Sequence, residues 1–209
     1  MFTGIIETRG VVTIARPSPD GLRLEITPEP WAYHAKVGDS VACNGCCLTV
    51  AAEPVGGRLV FDAVPETLAK TTLGLWRVGQ RVHLEQAATA STLLGGHMVQ
   101  GHIDGVGTVI ANGTIPSGNA NGAAAGWRLA IRPPAELLAY FVPKGSVAID
   151  GVSLTLAEVG AADFAIAIIP TTLDKTHLGT LKPGDQVNLE ADIIGKTVVH
   201  YMRHFARPG

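Results

Sequence analysis

The chain has 209 residues, 46% of them hydrophobic and 16% charged, enough to bury a core and too apolar for a disordered segment. Sixteen Lys and Arg against eighteen Asp and Glu give a net charge of −2 and leave no basic surplus for a phosphate-binding face, so nucleic acid is not expected as a partner. No run approaches the ~18 apolar residues of a membrane span, and the opening Met1 to Glu7 lacks the basic and apolar regions of a signal peptide, so no membrane contact and a cytoplasmic location are expected.

Taken along the chain, the apolar period is mostly two. Strands are predicted over Gly10 to Ala15, Leu22 to Ile26, Asp39 to Cys43, Cys46 to Ala51, Arg58 to Asp62 and Arg81 to Glu85. A short helix is predicted over Pro65 to Lys70, with proline at an opening position. Cys43, Cys46 and Cys47 form an odd, clustered set that cannot make a disulfide framework, which favours a reducing compartment. The Cys43-x-x-Cys46 spacing interrupts a strand pattern instead of opening a helix, so it reads as small core or loop residues and not as a redox dithiol. Alternation places Cys47 and Thr49 on one face of their strand and Cys46, Leu48 and Val50 on the other. That polar face is either a solvated edge or the floor of a ligand pocket.

From residue 98 onward the pattern returns. VACNGCCLTV (41–50) recurs as VAIDGVSLTL (147–156), PETLAKTTLG (65–74) as PTTLDKTHLG (170–179), and GQRVHLE (79–85) as GDQVNLE (184–190). At the front, Thr3-Gly4-Ile5 matches Gln100-Gly101-His102 at an offset of 97. The chain is thus a tandem duplication: one unit over 1–97, a second over 98–192, and an unmatched tail over 193–209. Five or six strands in each copy argue for an all-β fold of two small closed antiparallel barrels. Asn112 to Gly126 is low in complexity and reads as a mobile surface loop. In the tail, Ile194, Val198, Tyr201, Met202 and Phe205 make one stripe of an amphipathic helix over Asp192 to Phe205 that either packs back on a barrel or joins protomers.

Residues shared by the copies are most simply explained by folding: Gly45 and Gly151 by a bend, Leu48 and Leu154 by core positions, Glu85 and Glu190 by strand ends. Polar differences fall at Cys47 against Ser153, Ile5 against His102 and Ala87 against Asp192. Drift produces such differences, and so do two similar pockets of which only some groups act chemically. His97 and His102 flank a Gly-rich link, where a lone histidine is ordinarily structural; the duplication singles out His102. His200 and His204 lack the glutamate of a metalloprotease motif, no second CxxC exists for zinc, and Gly105-x-Gly107 lacks the third glycine of a dinucleotide fingerprint, so no metal site is expected.

MFTGIIE, NGCCLTV, PETL with TTLG, GGHMVQGHIDG, VAIDGVSLTL and VNLEAD, in this order and spacing, together resemble the riboflavin synthase family of the two-repeat, lumazine-binding type, from Met1 to about Asp192. The resemblance implies two six-stranded Greek-key barrels with a C-terminal α-helix, and a homotrimer assembled through that helix with an active site between subunits. It implies a cofactor-free dismutation in which two molecules of 6,7-dimethyl-8-ribityllumazine yield riboflavin and 5-amino-6-(D-ribitylamino)uracil. The family's catalytic positions fall on Phe2, Ser40, Cys47, His102, Ser153, Thr155 and Asp192. Its substrate contacts in the N-terminal barrel fall on Gly4, Ile5, Ile6, Cys47, Leu48, Thr49, Asp62, Ala63, Val64, Pro65, Glu66 and Thr67. Those in the C-terminal barrel fall on Gly101, His102, Ile103, Lys144, Ser153, Leu154, Thr155, Ile168, Ile169, Pro170, Thr171, Thr172 and Leu173. The chain departs from the family at His83, where Asn is usual, and at Thr171, where His or Glu is common. The alternative is a non-catalytic lumazine or flavin carrier of the same fold, which typically loses the catalytic side chains retained here.

Overall fold

The computed structural model describes residues 1–115 and 126–205. The first copy supplies β1 (Thr8–Ser18), β2 (Gly21–Pro28), β3 (Ser40–Cys43), β4 (Cys46–Thr49), β5 (Leu59–Ala63) and β6 (Arg81–Gln86). The second supplies β7 (Gly105–Ile115), β8 (Gly126–Arg132), β9 (Ser146–Ile149), β10 (Val152–Val159), β11 (Phe164–Ile168) and β12 (Gln186–Ala191). Both antiparallel sheets have the same order, β4-β3-β6-β1-β2-β5 and its twin β10-β9-β12-β7-β8-β11, and pairings such as β2 with β5 give each a Greek-key path. Each encloses its own apolar core, around Leu24, Phe61 and Trp76 in one and Leu129, Ile149 and Phe164 in the other.

Closure differs between the copies. The second is a closed barrel because β10 runs on to Val159 and pairs with β11. In the first, the strand expected through Ala51 stops at Thr49, and only the Val50–Phe61 bridge joins β4 to β5. Pro54 offers no N–H for a continuing ladder there. The predicted helix is α1 (Pro65–Lys70), and its twin is α2 (Pro170–Lys175).

Two expectations need correction or completion. Asn112 to Ile115 and Gly126 belong to β7 and β8 and are not loop, while 116–125 lie outside the described residues. Asn112 is held by three bonds: its Nδ2 donates to Leu178 O and Leu181 O, and its Oδ1 accepts from Trp127 Nε1. The tail forms α3 (Ile193–His204), capped by Asp192 Oδ1, which accepts from Ile194 N at 2.9 Å. Its apolar stripe, Ile194, Val198, Tyr201, Met202 and Phe205, is exposed and so does not pack back on a barrel. Other residues of the helix face its own chain: Lys196 Nζ meets Asp104 at 2.9 Å and the Arg203 guanidinium lies over the Tyr140 ring. Among the described residues, no helix is long and apolar enough to cross a membrane.

The barrels meet at the β3–β4 and β9–β10 turns. Gly45 and Gly151 have φ of +77° and +80° and approach so closely that a Cβ on either would lie 2.6 Å from the other's backbone nitrogen. Around them run two equivalent sets of bonds. On one side His83 N donates to Asn44 Oδ1, Asn188 Nδ2 donates to Asn44 O, and Thr72 N donates to Asn188 Oδ1. On the other, Asn188 N donates to Asp150 Oδ1, His83 Nδ1 donates to Asp150 O, and His177 N donates to His83 Nε2. His83 thus imitates the amide of Asn188, with Nε2 free of a proton to accept and Nδ1 protonated to donate.

This imitation works only for neutral imidazole. Burial, and next the stacked His177, hold His83 well below the usual histidine range. A folded pKa below the unfolded value of 6.5 means stability present above that pH and lost as pH falls through it. Glu190, pushed up to about 7 by burial, has the opposite sign: its share fades as pH rises from 4.5 toward 7. His83→Asn, which restores the amide of the other side, is therefore expected to lessen the stability lost between about pH 7.5 and about pH 5.5, measured by urea unfolding. An unchanged acid loss would show that His83 does not carry it.

Candidate active site

Each barrel lends the other an arm. The segment before β1 leaves its own barrel: Gly4 O accepts from Ser153 N at 2.8 Å, and Ile6 is buried in the second core. The segment before β7 does the reverse, with Gly101 O accepting from Cys47 N at 2.8 Å and Ile103 packed against the first core. Phe2 and Val99 bridge the two arms. Both arms run so close to a strand that only glycine fits: a Cβ on Gly4 would meet Ser153 Cβ at 2.6 Å, and one on Gly101 would meet Cys47 Cβ at 2.6 Å. The expected grouping is therefore exchanged, with Gly4, Ile5 and Ile6 beside Ser153 and Gly101, His102 and Ile103 beside Cys47.

The strand faces follow the alternation in the sequence. Cys47 and Ser153 are half-buried and Thr49 and Thr155 exposed, while Leu48 and Leu154 point into the cores. Ser40 pairs with Thr49 across the β3–β4 hairpin, as Ser146 pairs with Thr155. Beside Cys47 lies a hollow of about 220 Å³, walled by Cys46, Cys47, Gly101, His102 and Ile103 and by Glu66, Thr67, Lys70 and Thr71 from α1 and the turn after it. It joins the first barrel's wall to the second barrel's arm, and His102 stands exposed at its side. Burial pushes the Cys46 thiol up to about 12 and holds the Cys43 thiol well above the ordinary cysteine range, so both behave as core residues, as the spacing implied.

On the other wall, Ser153 Oγ is 2.7 Å from Nδ1 of His97, which is buried and whose Nε2 has no partner among the described residues. Burial lowers the His97 pKa, while the carboxylate of Asp192 acts to raise it. Neutral His97 can take a proton from the Ser153 hydroxyl or orient it. No repeat signal marks His97, because the alignment of the two copies starts at Thr3 with Gln100 and His97 lies in the link ahead of it.

Other expected residues fall less uniformly. Phe2 is fully buried among Ala42, Val99 and Ala148, beneath the arm instead of in the hollow. Asp62 to Thr67 run from β5 into α1, but Asp62 is engaged by Arg23 Nη1 at 2.8 Å. Ile168 to Leu173 occupy the equivalent course from β11 into α2. Lys144 is exposed at φ +67°, its N–H donating to Leu156 O. Among the described residues, no three His, Cys, Asp or Glu side chains converge as metal ligands.

The model of the lumazine binding domain matches residues 3–87 and again 100–192. Riboflavin synthase of Mycobacterium tuberculosis (strain ATCC 25618 / H37Rv) is 42% identical over 97% of this chain and 98% of its own length. Riboflavin synthase of Actinobacillus pleuropneumoniae is 36% identical over 97% and 90%. Among solved structures, LumP complexed with riboflavin superposes with a TM-score of 0.79 at 29% identity, covering 91% of this chain and 99% of that one. LumP complexed with 6,7-dimethyl-8-(1'-D-ribityl) lumazine gives 0.77 at 27% identity, over the same shares.

Proposed function

Because the chain belongs to the lumazine-binding domain family, we infer that it is an enzyme with riboflavin synthase activity. Two molecules of 6,7-dimethyl-8-ribityllumazine react, a four-carbon unit passes from one to the other, and riboflavin and 5-amino-6-(D-ribitylamino)uracil leave. One observation carries this reading: two equivalent strand walls, each closed by an arm from the other barrel, present different reactive groups. A reaction in which donor and acceptor are the same compound calls for two like pockets with unlike chemistry.

In the scheme we favour, the acidic C–H lies on the C7 methyl of one lumazine and the electrophilic carbon is C7 of the other. His102 serves the proton transfer on the Cys47 side. On the other side the Ser153 hydroxyl, held by His97, and Thr155 polarise the ring. Cys47 and Asp192 add to or stabilise the intermediate, and holding the two rings together supplies acceleration by proximity.

A hollow of about 220 Å³ is smaller than the roughly 300–1,000 Å³ of ordinary small-molecule sites, which supports completion of the pocket by a second subunit. The exposed stripe of α3 supports a homotrimer joined there. Three free cysteines suit the reducing cytoplasm.

The test uses the trimer-sized fraction from gel filtration, with the lumazine and no added cofactor. One riboflavin formed for every two lumazines consumed is the expected result. Binding without conversion would assign the chain to the carriers, of which LumP with its bound ligands is the model.

A further inference from the structure

Two buried carboxylates remain outside this scheme. Glu85 near the end of β6 and Glu190 near the end of β12 are 3% and 2% exposed. Neither receives a salt bridge among the described residues. Glu85 Oε1 accepts from Thr3 N at 2.6 Å and Thr3 Oγ1 at 2.7 Å, and Oε2 accepts from Gly4 N at 3.0 Å. Glu190 Oε1 accepts from Gln100 N at 2.6 Å and Oε2 from Gly101 N at 2.9 Å. Burial raises both pKa values, so the interior is an unfavourable place for these charges. What each carboxylate provides is a two-point grip on the backbone of an arm, one residue before or at the glycine that touches the opposite strand.

The linkage runs from carboxylate to arm to wall. Glu190 holds Gln100 and Gly101, Gly101 O takes the N–H of Cys47, and His102 follows directly in the chain. Glu85 holds Thr3 and Gly4, Gly4 O takes the N–H of Ser153, and Ile5 follows. We propose that Glu85 and Glu190 are positioning residues that act across the joint: Glu190 of the second barrel sets the pocket at Cys47 in the first, and Glu85 of the first barrel sets the pocket at Ser153 in the second. The proposal rests on the reading that these walls hold lumazine and flavin rings.

Glutamine at either position keeps the shape but has one acceptor oxygen where two are used, so its amide N–H₂ would face a backbone N–H. The readout is labelling of Cys47 by a thiol reagent, with riboflavin as the protecting probe on the full chain. Cys47 is half-buried, whereas Cys43 and Cys46 are buried. Glu190→Gln is expected to raise the riboflavin concentration that protects Cys47 roughly tenfold. Glu85→Gln, although it lies in the barrel of Cys47, is expected to leave that concentration unchanged while weakening riboflavin binding elsewhere, read by quenching of flavin fluorescence. Should Glu190→Gln give no folded chain, Glu190→Asp, whose carboxylate is drawn back by one methylene, is expected to shift protection in the same direction.

A role confined to stabilising the parent barrel predicts the reverse assignment, with Glu85→Gln exposing Cys47, and that result would overturn the proposal. So would two variants that lose thermal stability with no change in protection. Absence of protection in the unsubstituted chain would overturn the ligand reading together with the proposal, whereas protection there that Glu190→Gln leaves intact overturns the proposal alone.

Discussion

Alanine at Gly45 is expected to cost about 4 kcal/mol or more of folding stability, and alanine at Gly151 a similar amount. Each residue sits at a positive φ, which costs an L side chain roughly 1–2 kcal/mol. Each new Cβ would also meet the facing glycine's nitrogen at 2.6 Å and its Cα at 2.9 Å. Those are backbone atoms held by the bonds from Asn44, His83, Asp150 and Asn188, and no flexible side chain can turn aside. Gly57 is the control: its φ is +78°, but nothing lies within 4 Å of an added Cβ, so Gly57→Ala is expected to cost only about 1 kcal/mol. Urea unfolding of the three variants makes the comparison. Equal losses at all three would mean that conformation alone, and not the meeting of the barrels, fixes glycine at the joint.

His102→Gln is expected to lower kcat about 100-fold or more while riboflavin still binds the hollow beside Cys47. The imidazole is exposed at the wall of that hollow, and its main chain is fixed by the Gly101 contacts to Cys47 and Glu190. Glutamine keeps a polar side chain of similar reach but cannot gain and lose a proton near neutral pH. Single-turnover formation of riboflavin separates this loss from weaker binding. Unchanged turnover would remove His102 from the scheme and leave the hydroxyls of Ser153 and Thr155 as its proton carriers.

Much of the fold is legible in the sequence because its cause is local. The strand faces at Cys46 to Thr49 follow from alternation, α1 from Pro65 and its period, and the equivalence of the barrels from internal identity. What depends on contacts between the barrels is not legible. Gly4 to Ile6 and Gly101 to Ile103 look like the leading edges of their own barrels, and nothing in their composition says that each docks on the other. Glu85 and Glu190 are identical in the two copies and so read as strand ends, although their work is to hold these arms. Phe2 counts among the catalytic positions that the resemblance implies, and nothing local shows that it is aligned with Val99 in an internal bridge and fully buried. Asn112 looks like loop because asparagine and glycine suit turns, while the carbonyls and the indole that fix it as strand lie far along the chain or across a hairpin.

The exchange of arms bears on why the two halves are joined by a peptide chain. If two separate identical polypeptides traded their leading segments in a domain-swapped pair, every wall would receive the same three residues, and strict symmetry would forbid any division of labour. Covalent fusion removes that constraint. One wall receives Gly4-Ile5-Ile6 and the other Gly101-His102-Ile103, so the exposed imidazole of His102 stands beside Cys47 alone, while Ser153 meets the buried His97 instead. The linker also keeps each arm's docking partner in the same molecule, so the asymmetric pairing survives at any dilution.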